Sequence, residues 1–406
     1  PSGRPIFISY CDISWSCDKK IIEKALKNSV AAIFTHKGFH PHLVKNSFSA
    51  FCKVDNKKNI LIKIKEKGSF TDNWMEESLS IGLFYIKNIE IIKKSLVELI
   101  NSSKKVSNEY YPSLIFNILI ANNIEVDLYD VNYFVHYGTP EQLEDFINWI
   151  NFFKNVKASN NSEKVLYKSL ILASGSGSRM RGISNLQKPL IKLGNKKLIN
   201  YVIDYLPISK DFCDIVFNQN LDKKYTREFS KKIIYIKQTK SQLDTLLNIQ
   251  NHLKNMEKFF ICSCDCFGKF SNKYFEQIVD ENDYEIICFG FKPSLMQKKL
   301  GGHTYFQYDK NTLKNVSIKS KINNEDLGLA GFFWFNKGNL VSDIAQCLVK
   351  EKSEIQRELI IDDIIKYSVL KGLKVGYIQV EDYKHLGTYE EFKEFEYWEK
   401  ACKKLN

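Results

Sequence analysis

The sequence predicts an α/β fold of three layers, α/β/α, in which a mostly parallel mixed sheet is covered by helices on both faces, in two tandem units. Short apolar runs of strand type alternate with amphipathic helical stretches along most of the 406 residues, as in sheets whose strands are joined by crossover helices. Four sequence blocks recur in the same order in both halves of the chain. A polar stretch, residues 155–165, separates the halves.

Composition and charge favour a globular cytoplasmic protein. The chain is 44% hydrophobic and 26% charged, and it is long enough to bury two cores. No apolar run reaches membrane-spanning length, so we expect no membrane insertion. The net charge of +12 comes from dispersed lysines without interleaved aromatic residues, so we expect acidic phosphate substrates rather than nucleic acid. The ten cysteines include no CxxC pair, which indicates reduced thiols.

Residues 1–154 form the first predicted domain. Its first strand starts almost at once, so we expect the C-terminal part of a longer domain. Residues 155–165, rich in Asn, Ser and Lys, are predicted to be a linker. We predict strands at residues 6–10, 49–54, 60–64, 79–86 and 126–135, and helices at residues 91–100, 111–120 and 140–153.

Residues 166–406 form the second predicted domain. Its front half alternates strand and helix, which indicates a parallel sheet whose ligands bind at the carboxyl ends of the strands. We predict strands at residues 169–173, 214–218, 233–236, 259–263, 284–291, 304–308, 316–319, 330–336 and 375–380. We predict helices at residues 198–206, 241–253, 272–279, 339–351, 358–370 and 390–404.

The stretch of residues 170–190, LILASGSGSRMRGISNLQKPL, carries the clearest functional signal. An apolar strand runs into a loop of small residues, which let backbone N–H groups approach a polyphosphate closely. Arg179 and Lys188 would supply positive charge for a triphosphate. The pattern is not a dinucleotide fingerprint, because Met180 stands where the third Gly belongs, and no Gly-Lys-Ser/Thr of a P-loop follows.

The internal repeat relates two sets of polar residues. The block IFISYCD, which ends at Asp12, corresponds to FFICSCD, which ends at Asp265. The block YFVHYGT, with His136, corresponds to DYKHLGT, with His385. Asp12 and His136 are 124 residues apart, and Asp265 and His385 are 120 apart. Two shorter pairs complete the repeat, IKEK with IKSK (64–67 and 318–321) and IGLFY with AGFFW (81–85 and 330–334).

The strand, the pattern AxGxGSR and the Lys-Pro-Leu nine residues after the Arg resemble the nucleotidyltransferases that join an NTP to a sugar phosphate, such as glucose-1-phosphate thymidylyltransferase. Their signature has the form LAGGxGTRL, so Ser174 departs from it by replacing a Gly. The resemblance implies a Rossmann-like fold of the GT-A type, Mg²⁺ as cofactor, and an NTP and a sugar phosphate as substrates. It further implies a cytoplasmic role in activated-sugar synthesis for surface polysaccharides, and it leaves a homo-oligomer open.

The resemblance also implies roles for individual residues. The expected catalytic residues are Arg179 on the β- and γ-phosphates, Lys188 on the α-phosphate and Asp265 on the metal. The expected nucleotide-binding residues are Ala173, Ser174, Gly175, Ser176, Gly177, Ser178, Gln238, Ser241 and Gln242. The expected metal ligands are Asp265 and His385 and, in the first copy, Asp12 and His136. The expected sugar-phosphate-binding residues are Lys321 and Gly331 and, in the first copy, Glu66, Lys67 and Gly82.

Two departures leave alternatives open. The family usually has Asp where His385 stands, so this histidine is compatible with a metal ligand or with a phosphate contact. Ser320 replaces the carboxylate that the first copy keeps as Glu66, so the two units are expected to use different acceptors. A nucleotide-sugar glycosyltransferase is disfavoured because no Asp-x-Asp ends the strand before Asp265. A non-catalytic nucleotide-sugar-binding module is the other alternative, because expected residues are replaced.

Three histidines in the stretch THKGFHPH also allow several interpretations. They are compatible with a zinc site, a phosphate or substrate contact, or a plain surface loop, and the neighbouring Gly and Pro favour the loop. These residues are His36, His40 and His42.

Overall fold

The computed structural model of the chain describes residues 3–44, 49–158, 164–175, 177, 180, 186–194, 196–221, 223–226, 229, 232–320, 323, 326–351 and 357–405. The chain divides into two compact units, which are described separately. Unit 1 comprises Pro1–Asn151 and Tyr397–Asn406, and unit 2 comprises Phe152–Glu396. These bounds differ from the predicted domain ranges in two ways, because residues 152–154 group with unit 2 and the last ten residues group with unit 1. The first four residues of the predicted linker are helical.

The described residues of the first part of the chain form eight strands and four α-helices. The strands are β1 Ile6–Ser9, β2 Ile13–Ser16, β3 Ala31–His36, β4 Phe51–Asp55, β5 Ile60–Lys65, β6 Ser78–Ile86, β7 Val126–Asp130 and β8 Tyr133–His136. The helices are α1 Lys19–Asn28, α2 Ile89–Asn101, α3 Ile115–Ala121 and α4 Pro140–Ala158. Six strands form one sheet in the order β1-β6-β3-β7-β5-β4, and β2 pairs with β8.

The second part forms thirteen strands and eight helices among the described residues. The strands are β9 Lys168–Ala173, β10 Lys192–Leu193, β11 Lys196–Lys197, β12 Cys213–Asn218, β13 Lys232–Ile236, β14 Glu257–Ser263, β15 Cys266–Lys269, β16 Ile286–Phe291, β17 Tyr305–Asp309, β18 Thr312–Ser317, β19 Leu327–Lys337, β20 Val375–Gln379 and β21 Glu381–His385. The helices are α5 Leu198–Tyr205, α6 Gln242–Asn248, α7 Gln250–Leu253, α8 Asn272–Glu281, α9 Leu295–Leu300, α10 Gly338–Lys350, α11 Ile361–Leu370 and α12 Tyr389–Leu405.

The main sheet of unit 2 has nine strands in the order β13-β12-β9-β14-β19-β16-β20-β18-β17. Strands β13, β12, β9 and β14 are mutually parallel, whereas β19 runs antiparallel to both of its neighbours. The central strands β9 and β14 begin with charged residues but are mostly apolar after them, and residues 169–173 and 259–262 are buried. A strand buried on both faces requires helices on both sides of the sheet, which agrees with the amphipathic helices between the strands.

Six strands of each unit share one topology. The order β1-β6-β3-β7-β5-β4 of unit 1 has its counterpart in β14-β19-β16-β20-β18-β17 of unit 2. The directions also agree, with a parallel pair at β3–β7 and β16–β20 and antiparallel pairs at β1–β6 and β14–β19. The small ladder β2–β8 corresponds to β15–β21, which ends at His136 and His385 respectively. Three of the four repeated sequence blocks therefore lie at corresponding strands, and in the fourth, IKEK begins on β5 whereas residues 318–320 of IKSK directly follow β18.

The α/β fold class is confirmed, but the sheets are more antiparallel than predicted. Among the described strands of unit 1, only β3 and β7 pair in parallel. The reason is that each unit contains a β-hairpin, β4–β5 in unit 1 and β17–β18 in unit 2. In addition, β6 and β19 each lie between two strands that run in the opposite direction. Strand–helix alternation alone does not encode these reversals. The helix predicted at residues 111–120 instead begins with a 3₁₀ turn and becomes α-helical at Ile115.

Within the described part of the chain, none of the helices combines the length and the apolar character that crossing a lipid bilayer requires.

Candidate active site

The carboxyl ends of two central strands of unit 2 meet at the same edge of the sheet. Strands β9 and β14 are parallel neighbours, with Ser263 opposite Leu172. The Gly-rich loop follows β9, and Asp265 follows β14 by two residues. In open α/β sheets, ligands bind outside the carboxyl ends of the strands. A cavity lies at this edge and is lined by residues 172–175, 177, 180, 188–189, 239–242, 245, 263–266, 302–304, 319, 329, 331, 358, 360, 362, 383, 385 and 387.

Lys188 and Asp265 form an ion pair in this cavity, as the sequence led us to expect them to share one site. The Lys188 ammonium donates to Asp265 Oδ2 and lies 3.4 Å from the Gly387 carbonyl oxygen. The two side chains are only 15% and 14% exposed. Burial raises the pKa of Asp265, but Lys188 and His385 outweigh it and hold that pKa below its ordinary value. The carboxylate is therefore ionised and already matched to positive charge.

The backbone of the Gly-rich loop explains how Lys188 approaches it. Gly177 has a φ of +60°, which side-chain-bearing residues rarely adopt. A Cβ atom at this position would lie 2.9 Å from the Lys188 Cβ. Lys188 itself opens a 3₁₀ turn, Lys188–Leu190, in which Pro189 and Leu190 are buried. The loop and the lysine are thus packed together by two local features of the sequence.

Glu391 holds the loop that carries His385. Its buried carboxylate accepts hydrogen bonds from His385 Nδ1 at 2.8 Å, from Gly387 N at 3.2 Å, and from Thr388 N at 3.1 Å. His303 Nε2 lies 3.4 Å from the same carboxylate. Although burial raises the pKa of Glu391, the two histidines hold it well below its ordinary value. Burial lowers the pKa of His385, but Glu391 and then Asp265 raise it overall.

With Nδ1 bonded to Glu391, the other ring nitrogen of His385 faces Asp265, at 3.7 Å from Oδ2. Glu391 is also the third residue of α12 and forms a reciprocal cap with Thr388, whose hydroxyl accepts from Glu391 N at 3.3 Å. Unit 1 has the same cap with a neutral residue. Gln142 Oε1 accepts from Thr139 N at 3.2 Å, and Thr139 Oγ1 accepts from Gln142 N at 3.3 Å.

Replacing Glu391 with Gln should separate the charge of this group from its capping role. We expect Glu391→Gln to fold normally, because Gln142 makes the equivalent cap, and to lower kcat by about tenfold, the lower end of the cost of losing an outer-shell partner. Steady-state kinetics and thermal melting would check this. Glu390→Gln, at the neighbouring position, is the matched control. An unchanged kcat, or a large fall in Tm with Glu391→Gln, would contradict the expectation.

Ser174, the departure from the Gly of the expected signature, has a structural explanation. Its side chain is buried, and its hydroxyl lies 3.0 Å from Thr245 Oγ1 and 3.4 Å from Thr239 Oγ1. Thr245 Oγ1 in turn donates to the Ser241 carbonyl oxygen at 3.1 Å. The extra side chain therefore enters a hydroxyl network behind the loop. Ala173, Gly175 and Gly177 line the cavity with it.

Two of the three residues predicted around α6 line the cavity. Ser241 caps α6 by accepting from Asp244 N at 3.0 Å. The Gln242 amide bridges two elements, because it donates to Ser263 Oγ at 3.3 Å and accepts from Ile361 N at 3.0 Å. Gln238 is exposed and lies outside the residues that line the cavity.

Four predicted site residues lie outside the described residues, namely Ser176, Ser178, Arg179 and Lys321. Gly331, predicted on the sugar-phosphate side, lines the cavity. A Cβ atom there would lie 2.8 Å from Cys266 Sγ, so the position leaves no room for a larger residue.

Unit 1 arranges its predicted residues in a corresponding way. His136 Nε2 lies 3.6 Å from Asp12 Oδ2, close to the 3.7 Å of His385 and Asp265. Glu66 accepts a hydrogen bond from the Ser113 hydroxyl, and burial raises the pKa of Glu66. Gly82 has a φ of +81° and lies against the Tyr10 ring.

Lys67 of unit 1 is placed beside an aromatic ring. Its ammonium lies 5.2 Å from the centre of the Tyr111 ring and 3.7 Å from Glu109 Oε2.

The favoured interpretation of the three histidines as a surface loop is wrong for His40 and His42, which are 0% and 3% exposed. His40 packs against the Phe134 and Tyr397 rings. His42 Nδ1 lies 2.8 Å from the His136 carbonyl oxygen, and Nε2 lies 3.1 Å from Asp145 Oδ2. These histidines therefore stabilise the core of unit 1.

Among the acidic and histidine residues at the cavity and beside it, sequence reasoning missed four. Glu391 and Asp362 lie in the first turns of α12 and α11, and His303 and Glu358 lie in irregular segments. Only Glu391 had a usable signal, because Thr388 followed three residues later by Glu is a capping box at a helix start.

The sequence-family model of the MobA-like NTP transferase domain matches residues 169–291 of the chain. Solved structures that resemble the chain include a nucleoside-diphosphate-sugar pyrophosphorylase from Vibrio cholerae, 14% identical with a TM-score of 0.44, over 56% of this chain and 98% of its own. An inositol-1-phosphate CTP transferase from T. maritima is 14% identical with a TM-score of 0.45, over 59% and 97%. A UDP-glucose pyrophosphorylase with bound UDP-glucose is 16% identical with a TM-score of 0.45, over 60% and 100%. No curated protein sequence matches the chain.

The matched stretch contains the Gly-rich loop, Lys188 and Asp265, the residues on which the resemblance rests. Residues 169–291 thus match the MobA-like NTP transferase domain, which confirms the resemblance to nucleotidyltransferases for this part of the chain.

Proposed function

We propose that unit 2 transfers a nucleoside monophosphate from an NTP to a sugar phosphate. A phosphate oxygen of the acceptor attacks the α-phosphorus, a new P–O bond forms, and the bond to the β-phosphate breaks with release of pyrophosphate. The observation that carries the proposal is the buried pair of Lys188 and Asp265 beside a Gly-rich loop, at the carboxyl ends of two adjacent parallel strands. The NTP transferase match covers all of these elements.

The reaction needs two anions to approach each other, so positive charge must be fixed in advance. We propose that the loop of residues 173–178 and Arg179 bind the triphosphate. Lys188 would neutralise charge on the α-phosphate as the bond to the β-phosphate breaks. It is suited to this because Asp265 and the Gly387 carbonyl oxygen fix its ammonium. Ser241 would lie near the nucleoside, because it lines the same cavity at the start of α6.

The donor set around Asp265 fits a magnesium ion bound mainly by substrate. Mg²⁺ is usually held by one or two carboxylates, with water and phosphate oxygens completing its shell. Asp265 supplies such a carboxylate, and His385 Nε2 lies 3.7 Å away with its other nitrogen bonded to Glu391, the usual arrangement of a ligating histidine. We propose that these two residues hold the ion. When bound, it would neutralise phosphate charge and orient the triphosphate.

A second cluster supports the same loop but is a poorer metal site. Ligand atoms of His303, His385 and Glu391 lie within 4.8 Å of one another among the described residues. The Glu391 carboxylate, however, already accepts from the Gly387 and Thr388 backbone. We propose that Glu391 positions His385 and does not bind metal itself.

We also propose that unit 1 is a second copy of the same fold, with Asp12 and His136 in the metal position and with Glu66, Lys67 and Gly82 on the acceptor side. The support is the shared order and direction of six strands and the matching distances of the Asp–His pairs. The two predicted domain ranges and the linker remain part of this proposal. A cytoplasmic enzyme that prepares activated sugars for surface polysaccharides is the wider role we propose, and the ten free cysteines agree with it.

Pyrophosphate release tests the proposal. The whole protein is incubated with each of ATP, CTP, GTP, UTP and dTTP, paired with α-D-glucose 1-phosphate, glucosamine 1-phosphate, inositol 1-phosphate or glycerol 3-phosphate. We expect Mg²⁺-dependent pyrophosphate release with at least one pair, and a product whose mass is that of the joined molecules. Release with no pair would contradict the proposal. A glycosyltransferase would instead consume a nucleotide sugar, and a binding module would release nothing.

A further inference from the structure

Asp362 is a carboxylate of the cavity that the proposed chemistry leaves without a role. It lies in the first turn of α11 and lines the same cavity as Lys188 and Asp265. Burial raises its pKa to about 6, although the Thr304 hydroxyl partly offsets this. Asp362 is half-buried, and a ligand in the cavity would supply hydrogen-bond donors to its carboxylate.

The helix start does not need Asp362. The neighbouring Asp363 caps α11, because its Oδ2 accepts from Ile360 N at 2.9 Å. Asp363 also binds the Arg357 guanidinium through both carboxylate oxygens. Of the two acidic residues, Asp363 therefore serves the structure, whereas Asp362 faces the cavity with Thr304 beside it.

The corresponding residue of unit 1 indicates what Asp362 does in unit 2. Ser113 lies 13 residues before the start of β7, as Asp362 lies 13 residues before the start of β20, and these strands correspond. Ser113 donates to Glu66, which follows β5. Ser320 occupies the place of Glu66 in the repeated block IKEK/IKSK. In sequence, Ser113 and Glu66 of unit 1 thus correspond to Asp362 and Ser320 of unit 2, although the Ser320 hydroxyl bonds to Ser317 at 2.7 Å and not to Asp362. Burial raises the pKa of both carboxylates.

We propose that Asp362 is the acceptor-recognition carboxylate of unit 2, and that it accepts hydrogen bonds from hydroxyl groups of the phosphorylated acceptor. This inference rests on the proposed function. An ionised carboxylate accepts hydrogen bonds and repels phosphate, so Asp362 contacts the part of the acceptor remote from its phosphate. In this proposal the acceptor-binding carboxylate of unit 2 comes from the start of α11, whereas that of unit 1, Glu66, follows β5, so the two units would recognise different hydroxyl groups.

Asp362→Asn and Asp363→Asn form a matched pair for the test. With the best NTP and acceptor from the pyrophosphate assay, we expect Asp362→Asn to raise the acceptor KM at least about tenfold, the effect of losing a hydrogen bond to a charged group. The KM for NTP should change less than about threefold, and Tm should not fall. Asp363→Asn should lower Tm and leave the acceptor KM unchanged, because it removes a cap and an ion pair.

Deoxy analogues of that acceptor identify the contact. At least one deoxy analogue should bind the wild type more weakly than the parent acceptor does. The same analogue and the parent acceptor should bind Asp362→Asn equally well. Turnover and calorimetric titration measure both comparisons. An unchanged acceptor KM, or equal losses in both KM values and Tm, would overturn the role of Asp362. Absence of pyrophosphate release by the wild type would instead refute the proposed function, and calorimetry with α-D-glucose 1-phosphate would then decide whether Asp362 affects acceptor binding at all.

Discussion

Lys188→Ala should lower kcat at least about a hundredfold, the scale of removing one fixed charge-stabilising group. The ammonium is held by Asp265 and the Gly387 carbonyl oxygen, so no reorganisation is needed when charge develops on the α-phosphate. The KM for NTP should rise less than kcat falls, because the contact matters most in the transition state. Pyrophosphate release under steady-state conditions measures both values.

The control for this variant is Lys192→Ala, which removes an exposed lysine four residues away. Lys188→Ala leaves a buried carboxylate without its main charge partner, so the pKa of Asp265 should rise and Tm should fall. Assays are therefore run well below the measured Tm. A near-normal kcat in a folded Lys188→Ala protein would refute the assignment of this residue.

Asp265→Asn should also lower kcat at least about a hundredfold, because the carboxylate fixes Lys188 and is the proposed oxygen ligand of the metal. Asn has the same shape, so the fold should be retained. The Mg²⁺ concentration that gives half-maximal rate should increase, whereas Lys188→Ala should change it much less. Titration of the rate with Mg²⁺ in both variants separates the two roles.

Asp309→Asn, at an exposed position at the end of β17, is the control for Asp265→Asn. Wild-type activity and an unchanged Mg²⁺ requirement in Asp265→Asn would rule out Asp265 as the metal carboxylate. If kcat falls strongly but the Mg²⁺ requirement is unchanged, Asp265 holds Lys188 and does not bind the metal.

The sequence predicted the part of the site that local pattern and parallel topology determine. A strand, a loop of small residues and Lys188 are close in sequence, and Asp265 follows another apolar strand. Parallel neighbours place such strand ends together, so Lys188 and Asp265 were predictable partners. Asp362 and Glu391 were not predictable in this way, because they approach the cavity from helix starts that are distant in sequence and carry no catalytic motif.

The histidines of unit 1 show the limit of judging burial from local composition. Gly38 and Pro41 indicate a turn, and turns usually lie at the surface. His40 and His42 are nevertheless buried, because aromatic rings and the Asp145 carboxylate, all distant in sequence, surround them. Strand direction was misjudged for a related reason. Strands β6 and β19 run antiparallel to their neighbours, and their direction depends on pairing with segments that are distant in sequence. The alternation of strand and helix along the sequence does not reveal such pairing.

The helix caps at Thr139–Gln142 and Thr388–Glu391 differ by a single atom in the second side chain, nitrogen in place of oxygen. Both make the same reciprocal bonds between the residue before the helix and its third residue, although Glu391 also accepts from His385 Nδ1 and Gly387 N. The two caps differ in charge by one unit. One helix cap can therefore carry either a neutral or a negatively charged side chain, and in unit 2 the charged form lies directly against His385.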